Sequence, residues 1–164
     1  MRIAEAMAQE MAQEAKGTRK LLERLPEDQF SWTPHEKSMT LGRLALHVAE
    51  CPGYTLPIIT TDSMQLEHET GKPALVESVA ELLKVFDKDL EQALDALDGV
   101  PDTHMMAGWK MLMGEQVILD LPRHAAMRGV VLNHLIHHRG QLTVYARQCN
   151  VPLPALYGPS ADEA

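Results

Sequence analysis

In the first 25 residues the side chains suited to a core fall at Ile3, Met7, Met11, Ala15, Thr18, Leu21, Leu22 and Leu25. Steps of three and four put them on one face of a helix, whereas a strand would bring them round every second residue. The same period returns in Leu41, Leu44, Ala45 and Val48, and again in Val79, Leu82, Leu83, Phe86, Leu90, Leu94 and Leu97. It returns a fourth time in Met127, Val130, Val131, Leu135, Leu142, Tyr145 and Cys149. Each such stripe must be covered by the others, so the pattern predicts an all-α chain. Composition agrees. Hydrophobic residues make up 45% and aromatic ones only 4%, and the abundant Ala, Leu, Met, Glu, Gln and Lys lose little freedom on entering a helix.

The breaks between stripes are as readable as the stripes. Pro26 stops the first helix, and the polar, proline-containing residues 25–40 form a long connector that Phe30 and Trp32 tuck onto the core. Thr40 is a cap for the second helix, which Pro52 and Pro57 kink or end. Residues 60–73 read as a loop, and a third helix over about 75–97 closes at Gly99, Val100 and Pro101. Residues 102–122 mix four methionines, Trp109 and two glycines without a steady period. They read as a long, partly apolar loop with room for a short hairpin. The last helix follows Pro122 and ends at Asn150, before a tail that cannot be helical. A chain of 164 residues is expected to be one domain, residues 1–164.

A net charge of −8 and a pI near 5.4 repel phosphate backbones, so nucleic acid is not an expected partner. Nowhere do 18 apolar residues run together, so no membrane span is expected, and the acidic N-terminal stretch does not resemble a secretion signal. Cys51 and Cys149 lie far apart without CxxC spacing. That argues against a disulfide scaffold or a structural zinc site and suits a reducing cytoplasm.

Chemistry is carried by histidine. His134 and His138 are one helical turn apart in the stripe of the last helix, a poor place for two imidazoles unless something uses their nitrogens. They suit one divalent ion, and they equally suit two hydrogen-bonded core histidines. His47, at the border of the second stripe, is the best source of a third nitrogen. Three protein ligands leave positions open for water or substrate, as in catalytic sites. Leu135 stands where an HExxH metalloprotease needs its glutamate, and no GxSxG elbow, Walker loop or dinucleotide fingerprint is present. His137 flanks the pair, Cys51 follows His47 by one turn, and Trp109 with the neighbouring methionines can line a pocket mouth or fill core. His35, His68, His104 and His124 fall in loops or at helix ends and receive no role.

The segment LNHLIHHRGQ at residues 132–141, the following LTVYARQCNVPLPALYG, WTP at residues 32–34 and LGRLALHVAE around His47 resemble the DinB / YfiT-like family. The resemblance implies an up-down-down-up four-helix bundle, often a homodimer, with a metal triad on His47, His134 and His138. It implies a divalent transition metal, with zinc or nickel ahead of iron, manganese or copper. Relatives of that kind include thiol S-transferases, so the expected function is a metal-dependent thiol transferase or hydrolase acting on a small molecule. A low-molecular-weight thiol is then a candidate co-substrate. The same motif makes Gln141 and Arg139 candidates for supporting the ligands. The competing expectation is a non-catalytic stress-response or damage-response bundle that binds a ligand or serves as a dimeric structural protein.

Overall fold

The computed structural model describes residues 1–66 and 76–163. His68, most of the loop expected over 60–73 and the expected start of the third helix at residue 75 lie outside them.

Helix α1 spans Ile3–Leu22 and buries Ala4, Met7, Met11, Ala15, Thr18, Leu21 and Leu22, the stripe read from sequence. The Ile3 amide at its start donates to the Asp102 carboxylate at 2.8 Å, an acceptor from a distant part of the chain. After a 3-10 turn at Glu27–Gln29, the connector closes over the core with Phe30 buried and Trp32 packed edge-on to Tyr145. Thr40 caps α2, Leu41–Glu50, by accepting from the Arg43 amide at 3.2 Å. The helix then tightens into a 3-10 turn, Cys51–Tyr54, and resumes as α3, Thr55–Thr60, so the two prolines bend this stretch without ending it. Ser78 caps α4, Val79–Leu97, in the same way as Thr40 caps α2.

Two expectations are corrected here. The chain is not purely helical. Strand β1, Ser63–Gln65, lies in the stretch read as loop, and a short helix α5, Asp102–Met105, leads into a hairpin of β2, Gly108–Met113, and β3, Gln116–Pro122. The hairpin allowed for within 102–122 is thus real, but it belongs to a three-stranded sheet of order β1-β2-β3, parallel between β1 and β2 and antiparallel between β2 and β3. Gly114 makes the hairpin turn at φ +59°, and Lys110 faces Asp120 across the strands. Second, the last helix is not uniform. It begins as α6, Arg123–Ala126, widens into a π-helical segment at Met127–Leu132, and continues as α7, Asn133–Gln148.

Helix α1 packs against α4, α4 against α2, α2 against α7, and α7 against α1. The buried side chains form two clusters. One gathers Leu21, Leu22, Leu44, Phe86, Leu135 and Leu142; the other gathers Met11, Ala93, Leu97, Trp109, Met127 and Val131. The sheet lies against the second. No helix among the described residues is long and apolar enough to cross a membrane.

Candidate metal centre

The histidines sit beside the junction of these clusters. On α7 the buried positions are Leu135, Arg139, Leu142 and Ala146, and His134 and His138 flank them, half-buried. The sequence stripe had put both imidazoles inside the core. The wider turn of the π segment breaks that stripe, which was drawn with one helical period through Met127 and Val131. His47 is half-buried on α2, at the border of its apolar face, as the spacing predicted.

The three rings converge. Their centroids are 4.8 Å apart for His47 and His134, and 4.6 Å for His138 with each of the other two. His47 Nε2 stands 3.1 Å from His134 Nε2. Two nitrogens each bound at 2.0–2.1 Å to one tetrahedral ion would stand roughly 3.3–3.4 Å apart, so the pair is close to the spacing one ion needs. The outer nitrogens are held: His134 Nδ1 donates to the Val130 carbonyl at 3.1 Å, and His138 Nδ1 to Gln141 Oε1 at 2.8 Å. Both acceptors fix the tautomer that leaves Nε2 bare, the usual support for an imidazole ligand.

Burial lowers the pKa of both rings below the ordinary imidazole value. For His134 the Val130 carbonyl opposes this and the neighbouring His137 adds to it. For His138 the Gln141 contact opposes it, and His134 and His137 add to it. Both are thereby kept neutral, the form that binds metal.

Among the described residues, His47, Cys51 and His134 offer donor atoms within 4.8 Å of one another and form a group that can hold a metal ion. That group differs from the triad read from sequence, because it takes in Cys51 and omits His138. The Cys51 thiol is fully buried, donates to the His47 carbonyl at 3.1 Å and is pushed up to about 12, chiefly by burial. As a ligand it would give up that proton on binding the ion, whereas a neutral His138 needs no deprotonation.

The other candidates disperse. His137 is exposed, its ring 4.9 Å from His138. Arg139 turns away from the imidazoles: it is buried against α1, bonding the Glu14 carboxylate at 2.5 Å, the Glu14 carbonyl, Thr18 and the Tyr157 hydroxyl. Trp109 is core, its indole N–H donating to the Pro57 carbonyl. His35, His104 and His124 each bond backbone, His104 that of Ile59 and His124 that of Met105. One neighbour was missed. Tyr54 lies nearly parallel to His134, centroids 6.2 Å apart, after a turn whose Pro-Gly composition hid the helical phase that brings it there.

This is a largely helical fold carrying a convergent imidazole cluster between helices, and the chain belongs to the DinB family, whose model matches residues 1–164. It is similar to the uncharacterized protein YrdA of Bacillus subtilis (strain 168), 26% identical over 151 residues, covering 92% of this chain and 85% of that protein. A crystal structure of a DinB-like protein from Bacillus cereus ATCC 10987 matches with a TM-score of 0.73 at 24% identity, covering 93% of this chain and 97% of that one. The DinB-like protein YjoA of Bacillus subtilis matches at 0.69 and 18%, covering 93% and 99%. These likenesses concern the fold.

Proposed function

We propose that this protein is a metal-dependent enzyme, a thiol S-transferase or hydrolase acting on a small molecule, with one divalent metal on His47, His134 and His138. Zinc or nickel is the first expectation for the ion, and a low-molecular-weight thiol for the co-substrate. The observation that carries the reading is the convergence of three imidazole rings, centroids 4.6–4.8 Å apart, with the two on α7 tied at Nδ1. A divalent ion bound there supplies Lewis acidity that lowers the pKa of a thiol or water. Val130 and Gln141 orient their imidazoles, and Cys51 lies beside the ligands, its proton engaged by the His47 carbonyl.

Several broader features accompany this reading. We take the long helices as an up-down-down-up bundle and the assembly as a homodimer, with the exposed Val117 and Ile118 on edge strand β3 as the apolar surface available for it. Two unpaired, buried thiols suit a reducing cytoplasm.

The test is elemental analysis of the protein purified without added metal or chelator, beside single variants. About one zinc or nickel per chain is expected in the parent, little in His134→Ala or His138→Ala, and near-parental content in Cys51→Ser. Loss in Cys51→Ser with retention in His138→Ala would move the third ligand to Cys51. A folded parent that stays empty after reconstitution would retire the enzyme in favour of a ligand-binding bundle.

A further inference from the structure

His47, Cys51, His134 and His138 bring one donor more than a three-ligand site needs, and they approach from unlike surroundings. His47 Nε2 and His134 Nε2 stand 3.1 Å apart. The Cys51 Sγ lies within 4.8 Å of donor atoms on both, in a group that His138 does not join. Around one ion with bonds of about 2.0 Å to nitrogen and about 2.3 Å to sulfur, a sulfur and a nitrogen stand roughly 3.5–3.7 Å apart. A shift of about 1 Å, shared between the Cys51 side chain and the rings, closes the difference.

The two candidates for third ligand differ in charge and in burial. Cys51 is fully buried, in the apolar cluster of Leu44, Phe86 and Leu135, whereas His138 is half-buried beside the exposed His137. A thiol that coordinates a metal is a thiolate. With two neutral imidazoles and one thiolate, a monovalent ion forms a complex without net charge, and a divalent ion keeps one positive charge. With three neutral imidazoles the divalent ion keeps both. Uncompensated charge is costly away from water. The apolar side therefore suits the neutral complex, and the wetter side suits the divalent ion, which can hold water as a further ligand. Softness alone does not decide, since thiolate serves zinc as well as Cu(I); charge and burial do.

We propose that the cluster is two overlapping sites that share His47 and His134: a soft monovalent ion, Cu(I), takes the Cys51 thiolate as third ligand, and a divalent ion takes His138. On binding Cu(I) the S–H bond breaks, a Cu–S bond forms and the proton passes to solvent, with no change of oxidation state. The divalent half rests on the metal centre proposed above; the Cu(I) half rests on Cys51 and stands without it.

Cu(I) affinity is read anaerobically, under ascorbate, by competition with bathocuproine disulfonate, and Zn(II) affinity by competition with a chromophoric chelator, on the full chain and its variants. Cys51→Ser should weaken Cu(I) by more than about a hundredfold, since losing a ligand costs more than the 10–100-fold lost with a group that only supports one. It should leave Zn(II) unchanged. His138→Ala should do the reverse. Cys149→Ser removes the other buried thiol and should change neither. Circular dichroism confirms that each variant is folded, and Cys51→Ala, which puts no hydroxyl into the apolar cluster, repeats the test. Cu(I) affinity that survives both Cys51 variants, or that falls as far in Cys149→Ser, would overturn the inference, and so would Zn(II) binding that needs Cys51. Zinc held through His138 with Cu(I) indifferent to Cys51 retires the inference and leaves the proposed centre. Cu(I) held through Cys51 in a chain that takes no zinc retires that centre, and with it the divalent half.

Discussion

A residue withdrawn from water keeps its place only if its polar atoms are answered, and this chain shows three ways of doing so. Arg139 is answered by protein: Glu14, Thr18 and Tyr157 surround its guanidinium, and the Glu14 carboxylate has little exposure of its own. That arrangement binds the C-terminal tail to α1 and has no chemistry left to offer. Asp89, part-buried and without a donor among the described residues, is left to solvent. His134 and His138 stand between these, each with Nδ1 engaged by protein, while His134 Nε2 stands 3.1 Å from His47 Nε2. Their pKa values are lower in the fold than the ordinary 6.5, so the native state binds fewer protons than the unfolded chain as pH falls. The stability they allow is therefore full above about 6.5 and is lost as pH drops through the lowered folded values. Chelator-treated protein should show a falling urea midpoint between pH 7 and pH 5, and a His134→Gln, His138→Gln variant should show a shallower fall over the same window. An equal slope in both would place the pH dependence elsewhere.

At the level of elements, the helices were legible because each buries a face whose period is its own, and because their ends carry recognisable chemistry. Thr40 is the cap that the sequence predicted, and Asn150 ends α7 where the periodic residues stop. There the Val151 amide bonds back to the Ala146 carbonyl with Asn150 at φ +60°, the left-handed residue that closes a helix. Asn150→Ala should cost about 1 kcal/mol, because the short polar side chain of Asn tolerates the left-handed region by bonding locally and that of Ala cannot, and Asn150→Gly should not. In a chain of this length that corresponds to a drop of about 2–4 °C in melting temperature, measurable by calorimetry. What the sequence hid was local departure from period. β2 buries only Trp109 and Met111 in strict alternation, too short a run to outweigh four methionines with no preference for strand. The π segment carries no signature beyond ordinary helix formers and Gly129, so one period was drawn through it and His134 and His138 were carried too far into the core. Residue type, spacing and family resemblance thus singled out three imidazoles that converge, while their exposure, the nearness of Cys51 and the Tyr54 stack depended on geometry that a fixed period does not contain.

For the whole molecule, the question is whether two apolar clusters make one folding unit, as the length of the chain suggests. Helix α1 gives Ala4, Met7 and Met11 to one cluster and Ala15, Leu21 and Leu22 to the other. Helix α4 likewise gives Leu82 and Phe86 to one and Ala93 and Leu97 to the other, and Leu90 packs against both. The last helix does the same on either side of the imidazoles. No connector separates the clusters, and melting one would strip cover from three helices that the other needs, so we expect a single cooperative transition. The two tryptophans can report this separately, since Trp32 packs on one cluster and Trp109 is buried in the other. Trp32→Phe and Trp109→Phe variants, each followed by the fluorescence of the remaining indole in urea, should give transitions that coincide with far-ultraviolet circular dichroism once each is referred to its own stability. A Trp109 signal lost at lower urea than the helical signal of the same variant would mean that the sheet and its cluster open first. The imidazoles, beside the junction, would then sit on a boundary between two units, and metal binding would be expected to fuse the two transitions into one.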